Sequence, residues 1–300
     1  MATIAENIQT LRSIKSDIKN AILQKGGVVT DAFGGYAQAI TNLPSGGGGD
    51  EQMLVDLIEG DITTLNIPDG TTKIADYAFN QYSKLASVTI PNTVKTIGRY
   101  AFQLCKSLKN VTIPKSVTYI KEHAFEGCST LTSVNIPDGF ETIGEYAFAD
   151  CKALTEVTIP DSVTKIGANA FEQCYALTKV NIPYGVTSIE SHTFSTCGLT
   201  DITIPSSVKN IYLNAFWQCQ KLTDITIPSS VTLIAANAFA DCIRLTSVTI
   251  KATTPPALYS NAFKNTNNCP IYVPAASVDA YKTATNWSAY ANRIQAIPTV

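Results

Sequence analysis

The sequence is poor in the residues that catalytic and nucleic-acid-binding proteins rely on. Its 300 residues include two histidines, two tryptophans and two methionines, and 22 basic residues against 24 acidic ones leave a net charge of -2. So even a balance gives no broad electrostatic footprint for nucleic acid or an anionic membrane. No apolar run approaches the roughly 18 to 20 residues that span a bilayer. The opening stretch, MATIAENIQTLRSIKSDIKN, has no basic start followed by an apolar segment and a small-residue cleavage site, so it is not expected to direct export. Serine and threonine are abundant, yet no GxSxG elbow is present and no base is placed to activate a hydroxyl. The glycines at 46–49 lack the Lys-Ser/Thr of a phosphate loop. These absences predict a non-enzymatic protein without a metal or cofactor.

What is present is repetition. LASVTIPNTVKTIGRYAFQLCKS from Leu85, LKNVTIPKSVTYIKEHAFEGCST from Leu108 and LTSVNIPDGFETIGEYAFADCKA from Leu131 superimpose, and the run continues from Leu154, Leu177, Leu199 and Leu222. Seven copies share LxxVxIPxxVxxIxxxAFxxCxx, with a one-residue deletion after Cys197. Degenerate copies flank them, from Asp61 without the cysteine and from Leu245 with an insertion.

The LxxVxI stretch alternates with period two, which predicts a half-buried strand. Proline removes a backbone donor and fixes φ, so Pro91, Pro114, Pro137, Pro160, Pro183, Pro205 and Pro228 mark where the strands end. Ala, Phe and Cys then recur near helical spacing, which predicts one short helical turn opposite the strands. A single unit of this length cannot bury enough apolar surface to fold alone, and stacking covers its two open faces.

The ends differ. Residues 1–44 read as a helical attachment module. Thr3 and Glu6 form a capping box, Ile4, Ile8, Leu11, Ile14, Ile18 and Ile22 form an apolar seam able to self-associate over residues 4–22, and a second helical stretch runs from Asp31 to Ile40. Residues 45–52 read as a glycine-rich linker, 53–269 as the solenoid and 270–300 as a terminal cap with a helical stretch near Ser277 to Ala284.

The repeat resembles the BspA-like class of leucine-rich repeats, and IYVPAASVDAYKTATNWSAYANRI resembles the cap that ends such arrays. The resemblance implies an α+β repeat solenoid, a right-handed coil with a parallel sheet on one face and short helical turns opposite. It also implies surface adhesion through binding of a cell-surface protein or glycan. The N-terminal segment resembles the leader of phage and prophage tail proteins, which implies attachment to tail components and a place on the virion tail. A bacterial cell-surface or secreted adhesin is the alternative.

Eight cysteines recur once per repeat, from Cys105 to Cys269. Adjacent coils about 4.8 Å apart keep parallel Cβ vectors near that separation, wider than the roughly 3.8 Å of a disulfide, so a ladder of buried free thiols is expected. Without a CxxC pair or neighbouring histidines, zinc is not expected. His123 and His192 occupy one repeat position three coils apart, roughly 14 Å at 4.8 Å per coil, too far to share a metal; solvent-facing side chains are expected.

Two sets of residues are candidates for binding. Thr89, Thr112, Asn135, Thr158, Asn181, Thr203, Thr226 and Thr249 face away from the core on successive strands, either as a polar ladder that solvates the sheet or as a flat hydrogen-bonding surface suited to sugars. Tyr184, Tyr212 and Trp217 break the repeat next to the deletion, either as local packing or as an aromatic contact surface.

Overall fold

In a computed structural model, described over residues 62–67 and 69–299, the chain winds into a parallel β-solenoid of about ten turns. The proposed N-terminal module, its seam at residues 4–22 and the glycine-rich linker lie outside the described residues.

The coils build three ladders that run along the solenoid. The first is built from the LxxVxI legs, with strands such as Thr64–Asn66, Ser87–Thr89, Asn110–Thr112 and Ser133–Asn135 paired in parallel at a constant register. Val and Ile point inward and the intervening Thr or Asn outward, as period-two alternation requires. The second ladder comes from the VxxI stretch after the proline corner, through Lys73–Ile74, Thr96–Ile97, Tyr119–Ile120, Thr142–Ile143 and Lys165–Ile166. Only one parallel sheet face was expected. The second exists because VxxI is long enough to place two backbone-paired residues per coil and short enough to leave no alternation in the sequence.

The third ladder corrects the expectation of a helical turn at AFxxC. The residue before Ala and the residue before Cys (or its counterpart) lie in the left-handed region in every coil, as at Tyr77 (φ 61) and Gln81 (φ 64), Tyr146 (φ 55) and Asp150 (φ 57), or Asn169 (φ 59) and Gln173 (φ 59). Alternate N–H groups therefore point along the solenoid. Tyr77, Phe79 and Gln81 donate to the carbonyls of Arg99, Ala101 and Gln103 in the next coil, at 2.8, 2.8 and 2.7 Å. Between them, Ala78 and Asn80 close local turns on Ala75 and Tyr77. A helix would turn all these donors back on its own chain. The left-handed residues cost on the order of 1 to 2 kcal/mol each outside Gly, Asn and Asp, and the coil-to-coil bonds offset that cost.

Behind this ladder, Phe79, Phe102, Phe125, Phe148, Phe171, Phe194, Phe216, Phe239 and Phe263 form one column, with neighbouring ring centroids 5.1 to 5.8 Å apart. The cysteines lie beside it, buried and unpaired with one another. Each thiol from Cys105 to Cys242 donates to the Phe carbonyl of the coil before, as Cys128 Sγ does to Phe102 at 3.2 Å. That carbonyl already accepts the N–H of Cys105, at 3.2 Å. The thiol thus fills the second lone pair, a task alanine cannot perform.

At the C-terminal end the column closes on Trp287 and Tyr290, 6.0 and 5.9 Å from Phe263. A helix, Val278–Thr283, lies in this cap. Buried Arg293 donates to the carbonyls of Cys269 and Phe263 and to the Thr266 hydroxyl, and so satisfies groups that another coil would otherwise meet.

The deletion after Cys197 disturbs the first ladder and leaves the other two running across it. In a regular coil the corner closes when the Leu N–H meets the Cys carbonyl, as Leu177 does on Cys174 at 2.9 Å; in the shortened coil the Gly198 N–H reaches back to Cys174 of the preceding coil at 3.4 Å. The Leu199 coil then contributes no strand to the first ladder, which resumes at Asp224–Ile227, whereas the second ladder pairs Ser188–Ile189 with Asn210–Ile211 across the deletion and is interrupted one coil earlier, after Lys165–Ile166. The turn ladder also stays intact across the deletion, with Phe194 and Thr196 donating to Ala215 and Trp217 at 2.9 and 2.7 Å.

Three outcomes follow. A Cβ on Gly198 would sit 2.3 Å from the Tyr175 carbonyl, so Gly198→Ala should cost about 1 to 3 kcal/mol in denaturant unfolding. Backbone amides of residues 199–204 should exchange with solvent faster than their equivalents at 131–136, where the first ladder is paired. Burial pushes the Cys105 and Cys219 thiols up from 9.0 to about 12. The folded state therefore prefers the neutral thiol, and its contribution is complete below pH 9 and lost as pH rises toward 12. Stability should fall above pH 9 by about 1.4 kcal/mol per unit for each such thiol, less steeply in Cys105→Ala, and thiol reagents should label these side chains only on unfolding.

Candidate functional site

The disturbed first ladder opens a groove of about 550 Å³ on the strand face, spanning the Leu154, Leu177 and Leu199 coils. Three rows of outward side chains cross it. Glu156, Lys179 and Asp201 form one row, Thr158, Asn181 and Thr203 the next, and Asp161 and Tyr184 stand at the proline corner. Backbone pairing of Lys179 with Glu156 and of Val180 with Val157 fixes the first two coils in register. Glu156, Lys179, Asp201 and Asp161 are exposed, and none of them is in an ion pair among the described residues.

Tyr184 is 72% exposed, the highest exposure of any large hydrophobic side chain described. It follows Pro183, where other coils carry Asn, Lys, Asp or Ser. Its ring is therefore available as a wall, and Val157, Val180, Ile182 and Pro205 add apolar surface to the floor.

Asn181 does two jobs. Its Oδ1 accepts the Ile159 N–H at 2.8 Å and its Nδ2 donates to the Ile159 carbonyl at 2.7 Å. In an undisturbed pair the bond comes from backbone, as when the Ile113 N–H meets the Asn135 carbonyl at 3.2 Å. The Asn181 amide thus stands in for main chain where the ladder fails, and it keeps one N–H and one lone pair for a ligand.

The structure distributes the sequence candidates. Thr158, Asn181, Thr203 and Tyr184 line the groove. Asn135 lies one coil earlier on the same outward row. Tyr212 follows the second-ladder strand Asn210–Ile211 and is half-buried, outside the groove. Trp217 is half-buried in the turn ladder, its Nε1 donating to Asp241 at 2.9 Å, while Asn265 donates to the other oxygen of the same carboxylate at 2.7 Å. Trp217 is an inter-coil brace, and the three aromatics that are close in sequence stand on three different legs of the coil.

The groove's charged row was missed at sequence level. The signal was present, since Glu156, Lys179 and Asp201 occupy one repeat position where earlier coils place Ser or Asn.

The histidines are not the solvent-facing side chains expected. His123 is half-buried, stacked between Tyr100 and Tyr146 at 4.4 and 4.6 Å, with Nδ1 2.8 Å from Glu126. His192 meets Asn214 through Nε2 at 3.0 Å. Their rings are packed against the turn ladder, because the left-handed residue that carries them aims its side chain along the solenoid. Among the described residues no group of three or more His, Cys, Asp or Glu is placed to hold a metal, and no helix is long and apolar enough to cross a membrane.

Parallel coils of strand, corner and turn around a column of Leu, Ile and Phe define a leucine-rich-repeat solenoid. The chain belongs to the BspA type leucine rich repeat family, whose six-copy model matches residues 59–177 and 141–270. Similar solved structures include a leucine rich repeat protein of T. pallidum, 28% identical over 61% of this chain and 78% of that one with a TM-score of 0.48. A leucine-rich repeat protein of Eubacterium ventriosum is 24% identical over 74% and 68%, with a TM-score of 0.48. A leucine rich cell surface protein of Faecalibacterium prausnitzii is 25% identical over 80% and 83%, with a TM-score of 0.36. No curated protein matches.

Replacing Asn181 with Ala removes two bonds to Ile159, so the melting midpoint should fall by the equivalent of about 1 to 3 kcal/mol. Thr203→Ala, which touches the same groove without bracing it, should unfold within about 0.5 kcal/mol of wild type.

Proposed function

We propose that the protein is a non-enzymatic surface-binding protein whose ligand docks in the strand-face groove between the Leu154 and Leu199 coils. The observation that carries this reading is the exposed Tyr184 ring beside Glu156, Lys179 and Asp201, which form no ion pair among the described residues, in a groove formed where the array breaks its own repeat. Proteins of the BspA type are typically surface adhesion or binding proteins, which favours recognition of a cell-surface protein or glycan over catalysis. Glu156 and Asp201 are both water-exposed, without the apolar burial that holds a catalytic carboxyl ready as an acid.

The carrier in this proposal is a phage or prophage tail, with residues 1–44 attaching the solenoid to tail components. A bacterial cell-surface or secreted adhesin is the second reading, favoured by the family. Gene neighbours encoding tail and lysis proteins support the first; a secretion signal encoded directly upstream selects the second.

The site is tested by capture of intact bacteria and epithelial cells on immobilised protein. Tyr184→Ala should reduce capture by on the order of tenfold, whereas Tyr212→Ala on another leg should leave it unchanged. Equal capture by wild type and Tyr184→Ala removes the groove as the docking site, and release of fragments from a glycan or peptide panel overturns the non-enzymatic reading.

A further inference from the structure

The chemistry of the groove identifies its ligand more narrowly. Resting on the docking site proposed above, we infer that it takes an uncharged glycan, bound along the solenoid axis with sugar hydroxyls on the charged row and a sugar ring against Tyr184.

The charged row carries both signs. Lys179 stands between Glu156 and Asp201 on successive coils, Asp224 follows in the next coil and Asp161 adds a carboxylate at the corner, and none of the groove's four charged groups is in an ion pair among the described residues. A basic peptide laid along the row would meet the Lys179 ammonium, and an acidic one would meet the carboxylates of Glu156, Asp161 and Asp201. A ligand whose groups both donate and accept satisfies the whole row, and vicinal hydroxyls do so without carrying charge.

The second row has the same dual character. Thr158 and Thr203 present hydroxyls, and the Asn181 amide between them has one donor and one acceptor left after bracing Ile159. Coils about 4.8 Å apart repeat this pattern at close to the length of one pyranose unit, so successive sugars meet equivalent positions.

Tyr184 supplies what hydrogen bonds cannot. Its ring is 72% exposed at the edge of the rows, and an aromatic face packs on the C–H face of a sugar while the hydroxyls around the ring rim reach polar partners. Tyr259 and Tyr175, 55% and 45% exposed, stand outside the groove. Tyr77, Tyr100, His123 and Tyr146 stack face to face at 4.4 to 4.6 Å, so both faces of Tyr100 and His123 are covered.

The test uses the full chain and the cells captured above, treated with periodate, which cleaves vicinal diols, or with a broad protease. Tyr184-dependent capture should be lost after periodate and should persist at about 1 M salt, where charges are screened within about 3 Å. Tyr184→Phe should retain it, and Asp201→Asn should weaken it without changing the melting midpoint. Capture that still depends on Tyr184 but survives periodate and disappears after protease overturns the glycan and leaves the docking site standing with a protein partner. Capture lost at high salt overturns it in favour of a charged partner. The absence of any Tyr184-dependent capture overturns the docking site itself.

Discussion

From Phe102 to Phe216, the backbone carbonyl of each phenylalanine in the column holds the array together at its most crowded point. It accepts the N–H of the cysteine that ends its own coil and the thiol of the cysteine that ends the next, while the ring attached to the same residue stacks on its neighbours in both directions. A residue with this many obligations cannot shift without moving two coils. The rest of the coil is arranged around keeping it in place, which accounts for the recurrence of Ala before it and Cys after it. The thiols that looked like metal or disulfide chemistry are donors in a structural ladder, and burial keeps them neutral.

The same constraint explains why a one-residue deletion has local consequences. The array is held by three ladders, and shortening the corner at Gly198 relaxes the first while the second strand ladder, the turn ladder and the ring column run through it unbroken. Repeat proteins tolerate such defects because each coil contacts only its neighbours. Here the defect is also where the surface becomes individual. Asn181 lends its side chain to the backbone of the coil before, the strand face opens, and Tyr184 and the charged row stand in that opening.

Much of this was legible beforehand. Period-two alternation in LxxVxI gave the first ladder, proline placed the corners, and cysteines spaced by one repeat pointed to a thiol column. AFxxC was read as helix because a helix and a chain of alternating right-handed and left-handed turns both bring positions one and four residues apart to the same side. The distinguishing signal was the Asn, Asp and Gly at the left-handed positions, as at Asn169, Asn237, Asp150 and Gly127, residue types that accept positive φ. The Tyr and His found there in other coils masked it. The aromatic candidates were misjudged as neighbours for a related reason, since residues 184, 212 and 217 fall on different legs and only coil geometry separates them.

The sequence by itself determined the coil: its length, its inward residues, its corners and its family, because each rests on spacing along the chain. The tertiary structure alone decided which hydrogen bonds run between coils and which side chains are left without partners. Asn181 could be assigned to the backbone, Trp217 to Asp241 and Tyr184 to solvent only once neighbouring coils were stacked, because a side chain's partners in a solenoid lie one repeat away in sequence and about 4.8 Å away in space.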